Sequence, residues 1–160
     1  MSRPILYRFP VALCFVLGAV FSSSSLLKAQ TDGVPKSVDI AVQVLDGRNG
    51  KPIANQRVLV FVGASSEAAK SHAEHTDLTT DKDGLGILRV HPDQTQWIQV
   101  WADGRVLCYP DPNQSSFSID AIMSTGIVAP NSCSGVMKDP TPGHLIIFAR
   151  PARFMEKMKR

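Results

Sequence analysis

The chain has 160 residues, with 17 basic and 14 acidic side chains and a formal net charge of +3 at pH 7. This length predicts a single domain. Arg3, Arg8 and Lys28 lie in the first 29 residues, and without them basic and acidic side chains are equal in number. A neutral domain lacks the basic surface that binds phosphate backbones, so we expect no nucleic-acid partner.

The first 29 residues have the three parts of a secretory signal peptide. A basic start is followed by the apolar run Val11–Phe21 and by Ala29, a small residue before the expected cleavage site. The alternative is an uncleaved anchor, but a bilayer span needs about 20 apolar residues and the run is shorter. We therefore predict cleavage near Ala29 and a secreted or periplasmic protein, with a domain over residues 36–150 and a basic tail over 151–160.

The predicted export also bears on whether the cysteines form a disulfide. Cys14 would leave with the signal peptide, so that Cys108 and Cys133 remain. Two thiols in an oxidising compartment usually pair, and the alternative is two buried unpaired thiols. We predict the disulfide, which would close a loop of about 26 residues and stabilise the fold by ~3.5 kcal/mol in the chain-entropy model.

Strand patterns dominate the first half of the predicted domain. Apolar and polar residues alternate from Val38 to Val44, which predicts a half-buried strand. Arg57–Val62 is rich in β-branched residues and predicts a second, buried strand. Between residues 63 and 75, serines followed by Glu67 and alanines indicate a short surface helix.

Two Asp-Gly pairs predict hairpin turns. Asp83-Gly84 joins Leu78–Thr80 to a strand from Leu85, and Asp103-Gly104 follows the strand that contains the two tryptophans. Strand signals then recur roughly every ten to fifteen residues, as in an antiparallel sandwich.

Two helices are expected later in the chain. Ser118–Met123 predicts a short helix inside the disulfide-closed loop, with Gly126 ending it. His144–Ala149 predicts the last strand, and Pro151 is suited to begin a short C-terminal helix. The fold class that follows is all-β: an antiparallel immunoglobulin-like or transthyretin-like sandwich of about seven strands.

Three stretches share the pattern of a known domain: Val42-Gln43-Val44, GKPIANQRV over Gly50–Val58 and TTDKDG over Thr79–Gly84. With them, residues 38–102 resemble the carboxypeptidase regulatory-like, or transthyretin-like, domain. The resemblance implies a β-sandwich. The transthyretin-shaped hydroxyisourate hydrolases end in Tyr-Arg-Gly-Ser, whereas this chain ends in Met158-Lys159-Arg160, so that activity is not carried over.

The last third contains TGIVAPNSC over Thr125–Cys133, FARP over Phe148–Pro151 and FMEKM over Phe154–Met158. These stretches resemble the ends of small exported proteins of unknown function from soil bacteria of the acidobacterial kind. The resemblance implies export and a bacterial source, and it implies no activity.

His72 and His75 are the candidate metal ligands that the sequence offers. Their spacing can place two imidazoles on one helical face, but no Cys, Asp or third His accompanies them at a ligand spacing. A solvated polar loop is the commoner role of such a pair, so we expect no metal and no cofactor. Asp81 and Asp83 echo the start of a calcium loop, but its twelfth position is Pro92 and not Glu, which favours a plain turn.

Trp97 and Trp101 are the candidate binding residues, because residues four apart on a strand share a face. If exposed, they would form a platform for carbohydrate or peptide; core packing is the commoner role. In the basic tail, Phe154 and Met158 lie one helical turn apart and could contact an anionic membrane. Docking of the tail on its own domain is the commoner arrangement.

The sequence has no Gly-x-Ser-x-Gly nucleophile elbow. We expect a non-catalytic extracytoplasmic binding or structural module, with an envelope polysaccharide or an envelope protein as partner. The alternatives are a small hydrolase with a histidine-lined cleft and an accessory subunit of an envelope assembly. A cleft shared by His72, His75, His91 and His144 would favour the hydrolase. An exposed aromatic face would favour binding, and an unpaired edge strand would favour assembly.

Overall fold

A computed structural model describes residues 37–110, 115–153 and 156. The predicted signal peptide and most of the basic tail lie outside these ranges. Within them the chain forms nine strands and two short helices. The strands are β1 (Val38–Asp46), β2 (Arg57–Gly63), β3 (His75–Thr79), β4 (Leu85–Val90), β5 (Trp97–Ala102), β6 (Arg105–Leu107), β7 (Ser116–Ser118), β8 (Ile127–Val128) and β9 (His144–Pro151). The helices are α1 (Ser66–Lys70) and α2 (Ile119–Ser124).

The strands form two sheets around one main core. Sheet A has the order β4-β1-β9-β6 with β8 also paired to β9, and sheet B has the order β3-β2-β5-β7. Alternate side chains of both sheets enter the core, among them Val42 and Val44 of β1 and Val58 and Val60 of β2, all fully buried. The predicted all-β class is confirmed, and the two sheets are compatible with a sandwich.

The prediction of a purely antiparallel sandwich is wrong for two strand pairs. β9 runs parallel to β1, from the pair Ala41–His144 to the pair Asp46–Ala149, and β8 also runs parallel to β9. Five other strand pairs among the described residues are antiparallel. Parallel neighbours need a long connection, and here the whole of sheet B is built between β1 and β9.

The two predicted hairpin turns form, but they connect the sheets and do not pair neighbouring strands. Gly84 has a φ of 72°, and Asp81 Oδ1 accepts hydrogen bonds from the N–H groups of Asp83 and Leu85 at 2.8 and 2.9 Å. The strand before this turn, β3, pairs with β2, whereas β4 after it pairs with β1. The Asp103-Gly104 turn likewise leads from β5 in sheet B to β6 in sheet A. Both hairpin predictions are therefore wrong in their pairing.

The predicted disulfide is present, with the Cα atoms of Cys108 and Cys133 5.4 Å apart. It belongs to a second buried cluster that also contains Leu45, Ile146 and Phe148. Because Ile146 and Phe148 alternate with the main-core residues of β9, this cluster lies on the other face of sheet A. The segment 128–136 therefore covers that face, and the disulfide fastens it.

Both short helices that were predicted inside the domain are confirmed. Ser65 caps α1, its Oγ accepting a hydrogen bond from the N–H of Ala68 at 3.1 Å. α2 lies in the disulfide-closed loop and buries Ile119 and Ile122 in the main core. None of the helices in the described part is long and apolar enough to cross a membrane.

The C-terminal helix does not begin at Pro151 as predicted. Pro151 is the last residue of β9, and its backbone pairs with Arg105 of β6. Proline lacks an N–H group, but the end of a strand tolerates this loss. The predicted boundary between the domain and its basic tail therefore falls inside a strand.

Candidate binding site

The outer face of sheet B carries the predicted tryptophans. Trp97, Gln99 and Trp101 alternate along β5 with residues that enter the main core, so they share the opposite face as predicted. On the adjacent β2, Phe61 lies opposite Gln99 and Leu59 lies opposite Trp101. Aromatic and polar side chains are thereby brought together on one surface of the sheet.

The two tryptophans have different surroundings. Trp97 lies opposite Gly63, and α1 packs directly on that glycine, because a Cβ atom there would overlap the backbone nitrogen of Ala69. Trp97 is half-buried at this covered end, whereas the residue Trp101 is 47% exposed. Of the pair, Trp101 offers the more accessible ring. A binding role for either residue stays a prediction.

Four rings lie close together on this face, and we call them the aromatic cluster: Phe61, His72, His75 and Trp101. The ring centre of His72 lies 4.4 Å from that of Phe61 and 4.7 Å from that of Trp101. Phe61 also lies 5.5 Å from Trp101 and 5.7 Å from His75. The His72–Trp101 and Phe61–Trp101 contacts are edge-to-face, the geometry that aromatic quadrupoles favour. Phe61 and His72 therefore both pack against the exposed indole.

His72 is held in place by its backbone and by a buried amide. Its φ is 58°, in the left-handed region that residues other than glycine seldom adopt. Its Nε2 lies 2.9 Å from Oε1 of Gln99, whose Nε2 donates to Oγ of Ser115 at 2.6 Å. The ring thus has a fixed position.

This arrangement bears on the two candidate metal ligands. The ring of Phe61 contacts both imidazoles, so an apolar side chain packs against each of the two candidate ligands. Among the described residues, no group of three or more His, Cys, Asp or Glu side chains is placed to hold a metal ion. His91 follows β4 and His144 begins β9, and no histidine is among the lining residues of the two cavities described below.

A groove of about 770 Å³ extends from Trp101 along the end of β5 towards β6. Leu59 and Trp101 give it apolar surface, and Gln99, Asp103 and Arg105 give it polar groups. Its volume lies in the range of ~300–1,000 Å³ that is typical of ligand sites. Its mainly apolar surface with a few polar groups is also typical of such sites. The arrangement is suited to holding a ligand that has an apolar face and a polar rim.

Tyr109 forms part of the groove wall and reaches into the protein. Its ring packs edge-on against Phe117 at a centroid distance of 6.0 Å. Its hydroxyl group is buried and has no hydrogen-bond partner in the described part of the chain. Burial raises the pKa of this hydroxyl, so it stays protonated at every physiological pH.

Tyr109→Phe is therefore expected to raise the free energy of unfolding by about 1 kcal/mol, because a buried hydroxyl without a partner costs ~1–3 kcal/mol. Urea denaturation of both proteins at pH 7 measures the difference. A less stable variant would mean that the hydroxyl does form a hydrogen bond.

Sequence reasoning did not identify Phe61 and Gln99 as members of this site. The signal for Phe61 was available: in β2, Leu59 and Phe61 alternate with the core residues Val58 and Val60. For Gln99, the signal was its place between two tryptophans on the same face.

The chain matches no protein-family model, and it shows no significant similarity to a curated protein or to a solved structure. The resemblance of residues 38–102 to the carboxypeptidase regulatory-like domain therefore stays an expectation.

Proposed function

We propose that the protein is a non-catalytic binding module that works outside the cytoplasm and binds an envelope polysaccharide on Trp101. The observation that carries the proposal is the half-exposed indole of Trp101, braced by Phe61 and His72 at the end of a groove. A rigid, exposed aromatic ring beside a pocket is a typical anchor for a ligand.

The chemistry of the groove supports a sugar ligand. A pyranose ring has an apolar face of C–H groups, which stacks on an indole, and a rim of hydroxyl groups that need hydrogen-bond partners. Asp103 and Arg105 line the groove with Trp101, and a carboxylate and a guanidinium group are an acceptor and a donor of that kind; Nε of Arg105 already donates to Oε1 of Gln56 at 2.6 Å. The groove volume of about 770 Å³ exceeds that of one sugar ring, which suits a chain of sugars better than a single one.

The contacts of His72 give it a role in positioning Trp101. Its Nε2 lies within hydrogen-bond distance of the amide of Gln99, and its ring packs against Phe61 and Trp101. The imidazole therefore helps to hold the exposed indole in place. The Cys108–Cys133 disulfide supports work in an oxidising compartment.

Trp101→Ala is expected to lower affinity for soluble envelope polysaccharide at least tenfold, which is about 1.4 kcal/mol. Isothermal titration with purified lipopolysaccharide O-chains and with soluble peptidoglycan fragments measures the effect. Ile87→Ala is the matched control, because it removes another exposed apolar side chain, 57% exposed, from β4 of sheet A.

The proposal requires that Ile87→Ala binds as the wild type does. Equal losses in the two variants, or no polysaccharide binding by the wild type, would overturn it. Capture of an envelope protein by the wild type but not by Trp101→Ala, with no binding of polysaccharide, would show that the same face binds protein.

A further inference from the structure

A second cavity, of about 350 Å³, lies against the disulfide and collects three arginines. Arg48 comes from the turn after β1, Arg150 from β9 and Arg153 from the residues just after β9. Among the described residues that line the cavity, none is acidic. Residues distant in the chain thus bring three arginines to one small space.

The nearest counter-charge belongs to Glu156, and it is already engaged. Its carboxylate accepts hydrogen bonds from Nη1 and Nη2 of Arg150 at 2.9 and 2.7 Å and from the backbone N–H of Arg153 at 2.7 Å. These hydrogen bonds, with that from the Arg150 side chain the largest, hold the pKa of Glu156 at about 2, so it is charged at neutral pH. One of the three positive charges is therefore neutralised, and the side chain of Arg150 is fixed.

The charges of Arg48 and Arg153 are not matched in this way. In residues 37–110, 115–153 and 156, neither guanidinium group forms a salt bridge or a hydrogen bond with an acidic side chain. Asp46 approaches Arg48, but its carboxylate accepts from the backbone N–H of Arg48 at 2.8 Å. Three arginines line the cavity and two carboxylates lie near them, those of Glu156 and Asp46, so the excess of positive charge produces a local positive potential.

We infer that this cavity binds a phosphate- or sulfate-type oxyanion, held between the guanidinium groups of Arg48 and Arg153. A guanidinium group offers a planar pair of N–H donors that match two oxygens of such an anion, and charge-assisted hydrogen bonds of this kind are about twice as strong as neutral ones. The volume of about 350 Å³ admits the anionic group with one attached sugar at most. The same geometry occurs within this chain, because the two carboxylate oxygens of Glu156 accept hydrogen bonds from Nη1 and Nη2 of Arg150.

The oxyanion site does not include Trp101, the residue proposed to bind polysaccharide. The two cavities share Val106, Leu107 and Tyr109 in their walls. The oxyanion could come from a free ion or from a substituent on a glycan, and the same test distinguishes these sources.

The test is isothermal titration of the purified protein at low ionic strength with inorganic phosphate, sulfate and glucose 1-phosphate. The double variant Arg48→Gln/Arg153→Gln is expected to lose at least tenfold in affinity. The control is Lys82→Gln/Arg89→Gln, which removes two positive charges from the turn before β4 and from β4, at the opposite edge of sheet A. It is expected to stay within twofold of the wild type.

Binding of either probe supports the site. Tighter binding of glucose 1-phosphate than of inorganic phosphate would identify a glycan substituent as the source of the oxyanion, and equal binding would identify a free ion. Trp101→Ala should leave all three affinities unchanged, which separates this inference from the proposed function. The inference is overturned if none of the three probes binds at millimolar concentration, or if the control variant loses as much affinity as the arginine variant.

Discussion

Cys133→Ser is expected to lower the free energy of unfolding by about 2–4 kcal/mol, the usual cost of losing a native disulfide. The bond closes a long loop, so its loss releases many conformations of the unfolded chain. Against a total stability of ~5–15 kcal/mol for a domain of this size, the change is large.

The folded state also depends on this bond, because it fastens the segment that covers the outer face of sheet A. Nδ2 of Asn131 donates to the backbone oxygens of Gly47 and Val136 at 2.9 and 3.1 Å. The N–H of Ser132 donates to the backbone oxygen of Cys108 at 2.7 Å. Gly47 lies directly beneath the disulfide, since a Cβ atom there would overlap Sγ of Cys108. We therefore expect these contacts to weaken when the disulfide is lost.

Urea denaturation measures the loss of stability, and hydrogen exchange shows where it acts. Faster exchange should be concentrated in residues 115–136, while β1 to β5 keep their protection. Met137→Ala is the matched control, because Met137 follows the same segment and is 86% exposed, so little change is expected. Two reactive thiols in the native wild-type protein would contradict the disulfide itself.

The strands and the short helices could be predicted because their signals are local. The alternation from Val38 to Val44 reappears as β1, with alternate residues buried. Ser65 caps α1 because its side-chain oxygen reaches an N–H group three residues ahead. The disulfide followed from the number of cysteines and the predicted compartment, and it needed no knowledge of geometry. Each of these predictions depends on residues close together in the chain or on composition.

Strand pairing could not be predicted, because a turn sequence reverses the chain direction but does not determine which strand the next segment pairs with. The turns at Gly84 and Gly104 are correct as turns, yet each moves the chain to the other sheet. A hint of the parallel pair lay in the unbroken apolar run Leu145–Ala149. Such a run is typical of a strand buried on both faces, and β9 is buried in this way.

The site depends on the same non-local pairing. Trp101 and His72 are neighbours because α1 and the following turn fold back over β5, and Gln99 fixes the imidazole from below. His72 and His75 suggested a metal site from their spacing, but Phe61, which contacts both, belongs to a strand earlier in the chain. The three arginines of the second cavity are likewise brought together by the pairing of β9 with β1 and β6.

Ile147→Ala is expected to lower the free energy of unfolding by about 2–5 kcal/mol, the range for isoleucine-to-alanine changes in a core. Ile147 is fully buried in the main core and lies opposite Val44 in the parallel pair of β1 and β9. The interior is closely packed, so the removed atoms leave a cavity that the two sheets cannot close without shifting towards each other.

Two controls separate burial from the simple loss of side-chain atoms. Ile147→Val keeps the β-branched shape and should cost about 0.5–1.5 kcal/mol. Ile87→Ala makes the same chemical change on β4, where the side chain is 57% exposed, and should cost about 0.5 kcal/mol or less. Urea denaturation of all three variants gives the order of their free energies of unfolding, and Ile147→Ala is expected to have the lowest. If Ile147→Ala cost no more than Ile87→Ala, Ile147 would not lie between the sheets, and the placement of β9 beside β1 would be wrong.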